Sequence, residues 1–150
     1  MNAYPDTSFL CALYREQDNS KAADAHRGSM KEPLPVTALV LFEFRQSVRW
    51  QSWLHRKHTG KGYGEKEAMK MLADLQSDID GGLSQIVPVD WAKVISMAEQ
   101  LSAQHTATSG PRGFDILHVA TALELGAKEF LTFDARQRAL AKTAGLKAKL

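Results

Sequence analysis

The sequence predicts an α/β fold, a mostly parallel sheet with helices on both faces. Three observations lead there. Short apolar stretches of strand character alternate with helical stretches along the whole chain. The segment Pro111 to Asp134 reads as a turn, a helix, a short loop and a buried strand. Carboxylates also recur where strands end and helices begin, and that edge of a parallel sheet is where α/β folds bind their ligands.

Taken in order, Ala3-Tyr4-Pro5 reads as a first strand running into Asp6, with Pro5 weighing against a central position because it lacks an N–H. Thr7 to Tyr14 follows as a helix for which Asp6 is a favoured N-cap. Ser20 to Met30 is a second helix, carried by Ala22, Ala23 and Ala25. Leu34 to Thr37 is the second strand, and a long helix runs from Ala38 to about His58. Within it Trp50, Trp53 and Leu54 fall at helical spacing, as a core stripe or as a partner surface. His55 and His58 share a face there, but no acid or cysteine accompanies them to complete a metal site.

Thr59 to Gly64 is glycine-rich, follows no strand, lacks a phosphate-loop pattern, and reads as a hinge between helices. Glu65 to Ser77 is a helix, Gly81-Gly82 a turn, and Leu83 to Val89 a third strand. Asp90 caps a helix through about Thr106, and Ser109 to Pro111 leads back to the central segment. There Ile116, Val119, Ala120 and Leu123 form a buried helix face stopped by Gly126, and Glu129 to Thr132 is the fourth strand. Ala135 to Ala144 is the last helix, stopped by Gly145, with Leu146 to Leu150 as an edge strand.

Length and composition narrow the class. At 150 residues, one domain with a real core is expected, and 44% hydrophobic with 24% charged residues is ordinary for a soluble globular protein. The net charge of +2 excludes a polycation, but its distribution is uneven. No acid lies between Glu43 and Glu65, against Arg45, Arg49, Arg56, Lys57 and Lys61. None follows Asp134, against Arg136, Arg138, Lys142, Lys147 and Lys149. Such stretches suit a nucleic-acid backbone or a solvated helix face. Cys11 is alone, so no intrachain disulfide forms and a reducing cytoplasm fits. The N-terminus has no signal-peptide pattern and no apolar run is long enough for a bilayer, so no membrane role is expected.

Four acids share a pattern. Asp6 and Asp134 follow strands, Asp115 opens a helix, and Glu43 sits early in a helix after a strand. Glu43 lies among large apolar residues and must reach water, a cation such as Arg112, or a metal; the metal is the reading its neighbours favour. Four carboxylates meeting at one sheet edge need a balancing cation, and oxygen-only ligands suit Mg²⁺, with Mn²⁺ as an alternative. Such an ion activates water and orients a phosphodiester. Arg112 would clamp a phosphate or neutralise an acid, and His118, three residues after Asp115, packs in the core or faces the site. A Ser8–His118–Asp triad lacks the GxSxG elbow that acyl transfer on such a fold uses.

Tyr-Pro-Asp6-Thr-Ser, Val-Thr-Ala-Leu-Val-Leu-Phe-Glu43, Phe-Asp115-Ile-Leu-His-Val-Ala-Thr-Ala-Leu and Phe-Leu-Thr-Phe-Asp134 together resemble the four motifs of PIN-domain proteins, in particular VapC-like toxins. The resemblance covers nearly the whole chain. It implies a three-layer α/β/α fold with about five parallel strands and a Mg²⁺-dependent endoribonuclease using Asp6, Glu43, Asp115 and Asp134. Thr7, Ser8 and Thr132 match positions where the family often carries hydroxyls that support the ligands. It also implies a homodimer and a cognate antitoxin that blocks the site. Two other readings remain: a metal-dependent phosphatase or DNA nuclease on the same acids, and a catalytically silent protein- or RNA-binding module using Trp50 and Trp53.

Overall fold

The computed structural model describes residues 1–148 and 150. Its elements are β1 (Ala3–Pro5), α1 (Thr7–Tyr14), α2 (Ser20–Ser29), β2 (Leu34–Val36), α3 (Ala38–Lys57), α4 (Glu65–Asp80), β3 (Ser84–Ile86), α5 (Trp91–Ser109), α6 (Gly113–Glu124), β4 (Glu129–Leu131) and α7 (Ala135–Thr143). β1 pairs in parallel with β4, Tyr4 opposite Phe130, and β2 pairs in parallel with β3, Pro35 opposite Gln85.

The four strands form two pairs rather than one continuous ladder of about five. The prolines supply the reason. The Asp6 N–H points to Leu131 on β4 and the Leu34 N–H to Leu83, the residue just before β3. Backbone donors alternate sides along a strand, so the nitrogens of Pro5 and Pro35 both face the seam where β1 lies against β2. Each removes a donor there. At the opposite edge Lys147 bridges Glu129 in parallel, all that the described residues show of the expected last strand. The rest of that strand includes Lys149, which lies outside the described residues.

Strand alternation divides the core. Ala3 and Leu131 face one cluster, with Phe9, Leu10, Val40, Phe44, Met71 and Leu75 from α1, α3 and α4. Tyr4 and Phe130 face the other, with Val94, Leu101, Val119, Ala120, Leu140 and Ala141 from α5, α6 and α7. Helices thus cover both faces, giving the three-layer α/β/α arrangement.

Each strand hands over to a helix through a side-chain cap. Asp6 accepts from the Phe9 N–H, Thr37 from Val40, Asp90 from Lys93 and Asp134 from Arg136 and Gln137. Such caps satisfy donors that a helix start leaves open, at about 1 kcal/mol each. They also bring the N-termini of α1, α3 and α7 to the carboxyl edge of the strands. Two expectations change in detail. α4 runs on past Ser77 to Asp80, and α5 runs on past Thr106 to Ser109, ending at the left-handed Gly110. The Gly60–Gly64 loop is tied down, with Tyr63 buried beneath the Arg15 guanidinium and His55 hydrogen-bonded to the Lys61 carbonyl.

Candidate active site

Asp6 is fully buried at the end of β1. Its Oδ1 accepts from the Ser8 hydroxyl at 2.7 Å and the Phe9 N–H at 2.9 Å, and its Oδ2 accepts from Thr132 Oγ1 at 2.6 Å. Burial pushes its carboxyl above the ordinary aspartate range, against the opposing pull of Thr132, Ser8 and the Phe9 N–H. Three neutral donors orient it without matching its charge.

Ser8 and Thr132 also lock the strand end. The Phe133 N–H donates to Ser8 Oγ at 2.8 Å and the Asp134 N–H to Thr132 Oγ1 at 3.0 Å. Asp6 and Asp134 therefore share one hydroxyl. Asp134 Oδ1 is engaged by the Arg136 N–H at 2.7 Å as the α7 cap.

Glu43 anchors a second network. Its Oε2 accepts from Thr7 Oγ1 and from His118 Nε2, the latter at 2.7 Å. Burial pushes its carboxyl up, but His118 and Thr7 outweigh that and hold it below the ordinary glutamate range. An ionised carboxylate only accepts, so His118 presents Nε2–H to it. His118 is itself fully buried, and its Nδ1 meets the Tyr4 hydroxyl at 2.8 Å, which lies 3.4 Å from Thr37 Oγ1. A polar chain thus runs Thr37–Tyr4–His118–Glu43–Thr7 through an apolar layer.

Both sequence readings of His118 meet here, for it packs in the core and touches an acid. The group facing Glu43 is the His118 imidazole rather than Arg112, whose side chain is exposed. Asp115 lies one helical turn before His118 and so shares its face. It is buried and accepts the Arg112 N–H at 3.1 Å. Tyr4 and Thr37 are the members that sequence reading passed over. The available signal was a phenol two residues before Asp6 on a strand, hence on the same side. Cys11 is no rival nucleophile, its thiol pushed up to about 11 by burial.

Asp6, Glu43 and Asp134 are linked through Thr132 and the Thr7 and Ser8 hydroxyls at the start of α1, and Asp115 shares a helix face with His118, but among the described residues no three His, Cys, Asp or Glu side chains stand close enough to hold one ion. Each spends an oxygen on its own donor instead. The donor set still fits a hard divalent cation: all ligands are oxygens, and the buried Asp6 carboxylate is in direct contact only with neutral donors. Mg²⁺ commonly takes only one or two carboxylates and keeps its waters, which this spacing suits.

The PIN-domain family model matches residues 3–143. This chain belongs to the PIN-domain family. Solved structures show the same fold over nearly the full PIN domain. VapC20 of Mycobacterium tuberculosis, a sarcin–ricin loop cleaving toxin, is 18% identical with a TM-score of 0.65, covering 97% of this chain and 96% of that one. VapBC-1 from nontypeable Haemophilus influenzae is 11% identical with a TM-score of 0.64, covering 99% and 97%. FitAcB from Neisseria gonorrhoeae is 17% identical with a TM-score of 0.65, covering 99% and 96%. Among curated proteins no match was found.

Proposed function

We propose that this PIN domain is a Mg²⁺-dependent endoribonuclease, the toxin of a toxin–antitoxin pair, acting in the cytoplasm as a homodimer that its antitoxin blocks. The observation that carries the reading is the buried Asp6 carboxylate, its pKa raised by burial and its oxygens held by Thr132 and Ser8, with the adjacent Thr7 bonded to Glu43 of the Glu43–His118 pair. That VapC20 is a sarcin–ricin loop cleaving toxin supports the substrate class. That no helix among the described residues is long and apolar enough to cross a membrane agrees with the compartment.

In this reading Asp6, Glu43, Asp115 and Asp134 surround Mg²⁺, one or two of them binding it directly and the others through its waters, with Mn²⁺ able to substitute. When bound, the ion lowers the pKa of a water and offsets charge on the leaving oxygen. The chain's own residues prepare that. Thr132 and Ser8 fix the Asp6 rotamer, so its oxygens need no reorganisation. His118 keeps Glu43 ionised and aimed, and Tyr4 keeps the imidazole from rotating away. Arg112, exposed at the start of α6 beside Asp115, is free to engage a substrate phosphate through two N–H groups.

The test is cleavage of a panel of RNA, DNA and phosphomonoester substrates by wild type and Asp115→Asn, with Mg²⁺ or EDTA. The expected result is RNA cleavage lost by at least about 100-fold in the variant, as when an interaction made in the transition state is removed, and abolished by EDTA. DNA or phosphomonoester turnover on the same acids would replace the substrate class. Cleavage that survives Asp115→Asn would remove the site itself.

A further inference from the structure

α3 carries a second feature, on the face opposite its core side. Leu41, Phe44, Val48 and Ser52 are buried. Phe42, Arg49, Trp50, Trp53, Arg56 and Lys57 are exposed, and at about 100° per residue they fall within roughly 120° of one another. The aromatic members are far from covered: Phe42 is 57% exposed, Trp50 52% and Trp53 40%. Trp50 and Trp53 stack on each other with centroids 4.6 Å apart. None of the three cations forms an ion pair among the described residues.

The stripe starts at the acids. Phe42 immediately precedes Glu43, and its ring lies 6.5 Å from that of Phe114, which immediately precedes Asp115. From Phe42 to Lys57 the stripe extends about 22 Å at 1.5 Å per residue. Solvent-facing tryptophans interleaved with unpaired cations and free of acids form the pattern by which single strands are held: bases stack on rings while phosphates meet the charges.

We infer that this face of α3 is a binding track for single-stranded RNA, leading the strand to the carboxylate site. The inference rests on the ribonuclease reading for the identity of the strand. Phe42 and Phe114 would receive the base beside the scissile phosphate, the Trp50–Trp53 pair a base further along, and Arg49, Arg56 and Lys57 the intervening phosphates. A second copy of the chain fits the face less well. A two-fold contact would press together two stripes that each carry three cations and no acid, like charge against like charge.

The experiment measures binding of a fluorescein-labelled single-stranded RNA of about 12 nucleotides to the full chain by anisotropy, in EDTA so that binding is read without cleavage. Trp53→Ala is expected to weaken binding about tenfold. Arg49→Gln with Arg56→Gln is expected to weaken it by a similar factor and to lower the slope of log affinity against log salt by about 1.4, for two phosphates at about 0.7 each. All three positions are exposed, and circular dichroism confirms that the variants fold. Unchanged affinity and slope would overturn the track. So would light scattering that shows a wild-type dimer dissociated by Trp53→Ala with RNA affinity intact, since the face would then join two copies. The two readings fail separately. Stripe-dependent binding with no RNA cleaved in Mg²⁺ would sink the nuclease and leave the track, whereas cleavage and binding indifferent to the stripe would sink the track alone.

Discussion

Asp6 and Glu43 are both carboxylates at least half withdrawn from water, yet their proton affinities move in opposite directions. Asp6 is pushed up by burial, whereas Glu43 is drawn down because His118 and Thr7 outweigh its burial. Their contributions to stability therefore have opposite signs. Glu43, with its folded pKa depressed, adds stability that is present above its unfolded pKa and is lost as pH falls through the folded one. Asp6, with its folded pKa raised, adds a cost that is absent below its unfolded pKa and complete once pH exceeds the folded one. Asp6→Asn should therefore raise the urea midpoint at neutral pH. The gain should fade below about pH 4, where the unfolded aspartate is itself protonated. Urea midpoints at both pH values check this. A variant less stable than wild type at neutral pH would mean that the hydrogen bonds to Ser8, Phe9 and Thr132 outweigh desolvation. A stabilising substitution at a residue needed for activity is the usual mark of a functional site.

The element that most changes between sequence and structure is the α3–α4 connection. Its glycines read as a hinge, but one of them has a fixed steric role. Gly62 has φ +63°, and a Cβ there would meet the Gln51 carbonyl oxygen at 2.1 Å. Neighbouring Tyr63 is buried, so the loop cannot simply move outward. Gly62→Ala is expected to cost about 1–3 kcal/mol, lowering the melting temperature by roughly 2–4 °C per kcal/mol. At Gly60 nothing lies within 4 Å of a Cβ, so Gly60→Ala should melt like wild type. Thermal unfolding of the pair decides it, and equal melting temperatures would restore the hinge. The same element logic accounts for the sheet. Pro5 already weighed against a central strand by its missing donor, but only the pairing of Asp6 with Leu131 shows that this donor faces β2.

Across the whole molecule, the N-termini of α1, α3 and α7, both core clusters and the ends of β1 and β4 converge on the acids. An ion bound there would tie these parts together and stabilise the native state by mass action. Mg²⁺ at about 100 times its dissociation constant should add about 2.7 kcal/mol, a rise of several degrees in the wild-type melting temperature. The rise should be reversed by EDTA and absent in Asp6→Asn. Differential scanning calorimetry reads this with no substrate present. An equal rise in the variant would place the ion elsewhere.

What the sequence by itself determined is what depends on near neighbours. The alternation of strands and helices, the caps at Asp6 and Asp90, the stop at Gly126 and the spacing of the four acids all follow from periodicity and local hydrogen bonding. The motifs around those acids were enough to name the family. Only the tertiary structure decided what those acids touch. The Tyr4–His118 bond joins residues 114 positions apart, the Glu43–His118 bond spans 75, and Thr132 reaches Asp6 across 126. No local rule encodes such distances, because the partners meet only when β1, β4 and α6 pack. The tryptophans of α3 show the same limit. Their spacing places Trp50 and Trp53 near one face of the helix, but which face meets solvent depends on where α1 and α4 lie.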